Sequence, residues 1–359
     1  MLERDVVNVK TKRIRHGLLW LASSIFFIAL AAILWTLIQF HRDNQPISPH
    51  PLIGNKPSTV SALKEEGLPF SFLTIGDLHN SRRASALIKK ALKEGKVSFM
   101  VILGDFVSHP DIQDHRYFLK KMMGPINPPF PVFLVPGNHD IDYSLAETKQ
   151  NERKVTPEVY ESLYGSRNFD FIFNDCLFII CGIDSRNQIS YLNYLRDTLS
   201  KKGKEKRHIF VFIHNPPKGV GIPASFALPN QEEFFSLLET YKVTTCFFGD
   251  FHGYWRGQRK GTALIVSGGG GGALKKWQPV WGKFHHLLKI TIDENMVSEG
   301  IMILGADGNN LKETFKKWIF IHLFPILPNP TWVFYLVFVI FITFSGFFCF
   351  KFLRAIRHS

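Results

Sequence analysis

Five short apolar runs, at 70–75, 99–103, 132–135, 209–213 and 245–248, each stop at a small turn that carries an acid, an amide or a histidine. Runs of this length, rich in aromatic and β-branched residues, predict strands. Between the first two, Ala84, Leu87, Ile88, Ala91 and Leu92 recur at helical spacing. The segment from 70 to 103 therefore predicts a β-α-β unit whose strands both end in Gly-Asp. Further along, the pattern predicts a helix over 155–164, a buried strand over 177–182, a helix over 190–199 and a strand over 263–266. The glycines 268–272 follow. They read equally as a flexible surface turn or as backbone drawn close to a substrate, and without a following Lys-Ser or Lys-Thr pair they do not make a Walker loop.

The two ends of the chain carry a different pattern. Residues 17–40 form an uncharged stretch of about 24 residues, long enough to cross a hydrocarbon core of roughly 30 Å as a helix. A second uncharged run, 332–350, follows Trp318 and the prolines Pro325, Pro328 and Pro330 and precedes Lys351, Arg354 and Arg357. A cleavable signal peptide would suit Ala29-Leu30-Ala31, but the apolar run continues through Ile33, Leu34, Trp35, Leu37 and Ile38, which favours a retained anchor. The other alternative, a buried core helix, fits poorly with two such runs at opposite ends. Arg4, Lys10, Lys12, Arg13 and Arg15 precede the first run, so both tails are basic beside apolar segments. The positive-inside rule then places both termini in the cytoplasm and the intervening chain outside.

The expected organisation is a basic tail (1–16), a transmembrane helix (17–40), a polar, proline-containing linker (41–68), a folded domain (69–310), an interfacial segment (311–330), a second transmembrane helix (331–350) and a basic tail (351–359). The formal charge of +13 comes partly from these tails, and an extracytoplasmic domain argues against nucleic acid as a partner. Of the four cysteines, Cys349 falls in the last apolar run. Cys176 and Cys181 bracket a strand-like run that would hold them apart, so they and Cys246 are expected to be buried free thiols. There is no Cys-x-x-Cys metal pattern.

The chemistry sits at the strand ends. In order, the turns carry Gly76-Asp77-Leu78-His79, Gly104-Asp105, Gly137-Asn138-His139-Asp140, a lone His214, and Gly249-Asp250-Phe251-His252-Gly253. Asp, Asn and His supply hard oxygen and borderline nitrogen donors, a mixture that suits a pair of divalent metals such as Mn, Fe or Zn. A lone Asp-x-His is common by chance. Five such turns after five successive strands are not, and the carboxyl ends of strands are where α/β sheets bind ligands.

These ordered blocks resemble the calcineurin-like metallophosphoesterase superfamily, whose pattern is Asp-x-His, Gly-Asp, Gly-Asn-His-Asp or Glu, an isolated His, and Gly-His-x-His. The resemblance covers roughly residues 69–292. It implies an α/β, four-layer sandwich of two mixed β-sheets flanked by helices, of the metallo-dependent phosphatase type, here with a transmembrane helix at each end. It also implies two divalent metal ions, drawn from Mn, Fe, Mg or Zn. Carried over by position, Asp77, His79 and His252 would hold the first metal, Asn138 and His214 the second, and Asp105 would bridge them. Such a pair lowers the pKa of a shared water, orients phosphate oxygens and neutralises charge during in-line displacement. His139 would contact the phosphate and help protonate the leaving oxygen, with Asp140 holding its ring.

Two departures stand out. Asp250 occupies the position of the first His of Gly-His-x-His. As a ligand it would favour harder ions, Mn or Mg over Zn, and otherwise the second site is weak or activity is lost. The frequent Gly-Asp-x-x-Asp block ends here in Ser108, a position that is not a direct ligand in the enzymes this chain resembles. Arg82, Arg83 and Arg256, close in sequence to the ligand blocks, are candidate contacts for an anionic substrate. Tyr254 and Trp255 read equally as pocket lining or core.

Together these features predict a membrane-anchored, metal-dependent phosphoesterase acting on phosphomonoesters or phosphodiesters, with manganese favoured and with lipid-linked and soluble phosphates both open as substrate. The alternative is a non-catalytic membrane receptor or scaffold with a degraded second metal site. A third arrangement reverses the topology and faces a cytoplasmic, nucleotide-linked lipid.

Overall fold

Strand formation follows the apolar runs closely, and each of the five marked strands begins and ends within a residue of its run. The computed structural model describes residues 2–43, 47–64, 67–144, 153–219, 228–274, 282–294, 296–304, 315, 317–323 and 332–357. Eleven strands are present among them: β1 (Phe70–Ile75), β2 (Phe99–Ile102), β3 (Val132–Leu134), β4 (Phe169–Phe173), β5 (Cys176–Cys181), β6 (His208–Ile213), β7 (Thr245–Phe248), β8 (Tyr254–Arg259), β9 (Thr262–Ser267), β10 (His286–Ile292) and β11 (Val297–Ile303).

They form two mixed sheets, one of five strands in the order β11-β10-β1-β2-β3 and one of six in the order β4-β5-β6-β7-β9-β8. In the first sheet β1, β2 and β3 run parallel, while β10 is antiparallel to β1, with Phe72 opposite Ile290. In the second, β5, β6, β7 and β9 run parallel and the outer strands β4 and β8 are antiparallel. A continuous parallel strand buried on both faces needs apolar residues at every position. This is why β2, β5 and β7 are buried throughout.

The two sheets meet through phenylalanine. Phe72 stacks on Phe99 with ring centroids 5.1 Å apart and meets Phe178 and Phe210 edge-on. Phe171 stacks on Phe133 at 4.2 Å. One outer face packs against the helix Arg82–Ala91 through Ala84, Leu87 and Ile88. The other packs against the helices Ser190–Lys202 and Gln231–Thr240 through Leu192, Leu195, Leu199, Phe234 and Leu238. The result is a four-layer α/β/β/α sandwich.

The chain divides into two compact units, 47–317 and, separately, 1–46 with 318–359. The first unit begins earlier than the sequence suggests, because part of the expected linker is built into the fold. Asn55 is buried, and its side chain both donates to Leu134 O (2.7 Å) and accepts from Leu134 N (3.0 Å). Lys56 donates to Leu163 O at 2.7 Å. These clips join residues far apart in sequence, so the polar, proline-containing composition of the segment did not reveal them.

In the second unit, the helix Leu2–Asp43 includes the basic tail and the apolar stretch Gly17–Ile38, and the helix Trp332–Arg357 includes Leu336–Arg354; both stretches are long and apolar enough to cross a membrane. The two helices pack side by side, pairing Trp20 with Phe348, Phe27 with Phe344, and Trp35 with Phe338. That order makes them antiparallel. The expected interfacial segment 311–330 lies mostly outside the described residues.

Candidate metal centre

Each candidate ligand sits on the turn that follows a parallel strand: Asp77 and His79 after β1, Asp105 after β2, Asn138 after β3, His214 after β6, and Asp250 and His252 after β7. Backbone hydrogen bonds tie these turns to one another. Asp77 N donates to Gly104 O at 3.0 Å, His79 N to Asp105 O at 2.9 Å, and Gly249 N to His214 O at 2.8 Å. Asp77, His79, Asp105, Asp250 and His252 all have positive φ, between 46° and 60°. Asp, Asn and His are the side-chain-bearing types that best tolerate this region, although each such residue still costs on the order of 1–3 kcal/mol. Strain of this kind persists only where the surroundings over-determine it, and among the described residues five of the thirteen non-glycine residues with a positive φ are candidate ligands.

One ligand atom from each of Asp77, His79, Asp105 and His252 lies within 4.8 Å of the others, a group able to hold a metal ion. His79 Nε2 and His252 Nε2 are 3.2 Å apart, and His252 Nε2 is 3.4 Å from Asp77 Oδ1. The His252 tautomer follows from its other nitrogen. Nδ1 lies 2.9 Å from Ala273 O, a carbonyl that can only accept, so Nδ1 carries the proton and Nε2 turns its lone pair inward. Metal-binding histidines are oriented in this way. Burial first, and then the neighbouring His252, His139 and His214, outweigh Asp105 and push the His79 imidazole down to about 3, which keeps it neutral.

A second set of candidate donors also faces Asp105. His214 Nδ1 donates to Leu103 O at 2.7 Å, and its Nε2 faces Asn138 Oδ1 at 3.1 Å and Asp105 Oδ1 at 3.5 Å. Burial disfavours charge on His214, but the Asp105, Asp77 and Asp250 carboxylates prevail and hold it well above its usual range. Two oxygens thus converge where His214 must place either a proton or a cation. Burial would raise Asp105, yet His214, His139 and His79 together hold it below the usual carboxylate range. Asp250 is buried, and its Oδ2 has no hydrogen-bond partner among the described residues. A buried carboxylate oxygen without a donor is the donor chemistry a hard cation satisfies, so the residues fit divalent ions.

Two glycines make room for this packing. Gly104 has φ of +88°, and a Cβ there would fall on the His214 ring. At Gly272 a Cβ would come within 2.7 Å of His79 Cδ2 and 2.9 Å of His252 Cε1. All five glycines 268–272 are buried, and Gly272 N donates to Asp77 O at 2.8 Å. The turn is therefore neither a loose surface loop nor a cradle open to substrate; it is backbone packed against the ligand turns.

His139 is partly exposed, with its Nε2 3.9 Å from Asp105 Oδ2. Its ring is held by Ser108 O, which accepts from Nδ1 at 2.7 Å. This corrects the role expected for Asp140. The Asp140 carboxylate points away from that ring and accepts from the backbone amides of Asp105 (2.8 Å), Gly137 (2.8 Å) and Val107 (3.2 Å). Burial and then the charge of Asp105 push Asp140 up to about 8, against the pull of those amides. Behind it, His115 Nε2 donates to Asp140 O at 3.0 Å, and its Nδ1 accepts from Tyr164 OH at 2.9 Å.

The arginines separate. Arg256, largely exposed, pairs with Glu299 at 3.2 Å. Arg82 is exposed at the start of its helix. Arg83 is half-buried, and both it and His252 act on His285, whose imidazole burial already pushes below its usual range. Tyr254 donates to Glu299 at 2.9 Å. Cys176, Cys181 and Cys246 are buried free thiols. Two contributors carried no sequence signal as site residues: the Ser108 carbonyl, and Lys317, whose Nζ donates to His79 O at 2.9 Å and to Ser108 Oγ at 3.1 Å.

Residues 70–254, just over half of the chain, match the family model described as calcineurin-like phosphoesterase. Among solved structures, the chain is similar to the purple acid phosphatase PPD1 from yellow lupin (Lupinus luteus) seeds, with a TM-score of 0.52 and 14% identity over 66% of this chain and 52% of that one. It thus spans about half the length of the lupin protein. A dimetal phosphatase from Danio rerio aligns with a TM-score of 0.47 and 14% identity, over 66% of this chain and 99% of that one. GAP50, the anchor in the inner membrane complex of Plasmodium, aligns with a TM-score of 0.47 and 13% identity, over 73% and 98%. At these identities the likeness concerns the fold. No curated protein matches the chain.

Proposed function

The chain belongs to the calcineurin-like phosphoesterase family, and from that premise we propose that it is a membrane-anchored hydrolase of phosphate esters that works with two divalent ions, manganese being the favoured metal. The observation that carries this reading is the convergence of Asp77, His79, Asp105 and His252 within 4.8 Å, with His252 Nε2 facing His79 and Asp77. Asp77, His79 and His252 would hold one ion, Asn138, His214 and Asp250 the other, and Asp105 both. Bound there, such ions supply Lewis acidity: they acidify water and neutralise charge building at phosphorus.

The chain's own residues provide the rest. His139 keeps Nδ1–H on Ser108 O, so Nε2, on the side facing Asp105, is the nitrogen left to exchange a proton. In this proposal that nitrogen binds a phosphate oxygen and protonates the leaving oxygen. Asp140 is a positioning residue that holds the backbone of the Asp105 and Gly137 turns. Arg83 supplies positive charge near the centre for an anionic substrate, and Arg82 adds a more exposed one. The antiparallel apolar helices support anchoring with both basic tails on one side of a membrane, the cytoplasmic side by the positive-inside rule. A bilayer-tethered centre suits a lipid-linked phosphate, and soluble esters are the comparison substrates.

The test is hydrolysis of p-nitrophenyl and bis-p-nitrophenyl phosphate by the full-length protein with Mn, Mg, Zn or no added metal, alongside Asp105→Ala. Metal-dependent turnover that Asp105→Ala abolishes is expected. No turnover with any metal would favour a receptor or scaffold, the reading that Asp250 in place of a histidine otherwise supports. Protease access to the globular unit in sealed vesicles reports its side of the membrane.

A further inference from the structure

Lys317 is half-buried. Withdrawing a lysine from water forfeits hydration and side-chain rotamer freedom. Here the ammonium group gains two neutral acceptors, both in turns of the candidate centre: His79 O at 2.9 Å and Ser108 Oγ at 3.1 Å. Ser108 Oγ itself donates to His79 O at 2.9 Å, so that carbonyl receives two donors. The Ser108 carbonyl in turn takes the Nδ1 proton of His139 at 2.7 Å. One ammonium group therefore links the turn that carries His79 to the residue that fixes His139. The Tyr117 ring, 6.0 Å from Nζ, and the Asp114 carboxylate complete its surroundings.

His79 has φ of 46°, a conformation that must be held by its neighbours. Two donors on its carbonyl provide such a hold, and one of them comes from 238 residues further along the chain.

We infer that Lys317 is a positioning residue for the metal centre, fixing the peptide of His79 and the Ser108 carbonyl that orients His139. The inference rests on the metal-dependent reading above. Residues behind metal ligands typically change metal affinity or activity 10- to 100-fold when removed, and that range sets the expectation here. Lys317 lies beyond the 310 boundary read from the sequence, so a fragment cut there would lose it.

The experiment titrates Mn into the purified full-length protein by calorimetry and measures p-nitrophenyl phosphate turnover in parallel, for wild type, Lys317→Met, Lys317→Arg, Ser108→Ala and the Ser108→Ala/Lys317→Met pair. Lys317→Met should weaken Mn binding about tenfold or more, Lys317→Arg should restore most of the loss, and the pair should be less than additive because the two residues share one network. The Ser108→Ala comparison holds even if Lys317→Met folds poorly. Mn affinity within twofold of wild type in both Lys317→Met and Ser108→Ala would overturn the inference and leave the metal reading intact. A wild type that binds no Mn would overturn both.

Discussion

Replacing Asp140 by alanine removes the acceptor of three backbone amides, those of Asp105, Gly137 and Val107, at 2.8, 2.8 and 3.2 Å. Asp140 is completely buried, so bulk water cannot take over. A buried amide left without a partner costs about 1–3 kcal/mol, and a water entering the space left by the carboxylate recovers one or two of the three bonds. One or two amides stay unpaired, so the expected loss is about 1–6 kcal/mol of folding stability. Mn affinity should fall as well, since Asp105 stands on one of the released turns. The assay is chemical denaturation of the full-length protein in detergent, followed by circular dichroism, with Asp140→Asn alongside. Asparagine keeps one carbonyl oxygen for the Asp105 and Gly137 amides but turns an NH2 group towards Val107 N, so its loss should be smaller than alanine's. If Asp140 instead clamped the His139 ring, Asp140→Ala would keep its stability within about 0.5 kcal/mol of wild type while kcat fell. That result would refute the backbone role.

Gly272→Ala places a methyl group 2.7 Å from His79 Cδ2 and 2.9 Å from His252 Cε1. It should cost about 1–3 kcal/mol as overpacking and weaken Mn binding, whereas Gly300→Ala, with 3.5 Å to its nearest neighbour, should leave Mn binding alone; equal calorimetric titrations for the two variants would contradict this. His115, wholly buried, has its imidazole pushed by burial from 6.5 down to about 3. The unfolded chain therefore binds this proton more readily, and the stability contributed is complete above pH 6.5 and lost as pH falls towards 3. The slope reaches about 1.4 kcal/mol per pH unit. His115→Gln should flatten the stability–pH curve over that window by comparison with wild type, and parallel curves would show that His115 titrates normally.

The centre was legible because its residues sit where local pattern is strongest. An apolar parallel strand ending in Gly-Asp or Gly-Asn-His marks both the strand and the donor, and the structure brings Asp77, His79, Asp105 and His252 together as that pattern implies. Two strands without an apolar run were not legible. β8, Tyr254–Arg259, alternates half-buried with exposed residues and reads as polar loop, and β11, Val297–Ile303, pairs among the described residues with β10 alone. The Asn55 clip spans 79 residues to Leu134, and the contacts of Lys317 span 238 and 209, separations no local periodicity records. Asp140 shows the opposite failure. Its place beside His139 suggested a partnership in chemistry, but the turn aims its carboxylate back at the backbone.

The proposal that Asp105 joins two ions is tested most directly by Mn(II) binding to the full-length protein, read by electron paramagnetic resonance during a titration. Two ions per chain with the spectrum of an exchange-coupled pair, and loss of that coupling in Asp105→Asn, is the predicted result. A single uncoupled ion at saturation, with Asp250→His needed to bring in the second, would contradict it and show Asp250 to be a broken ligand.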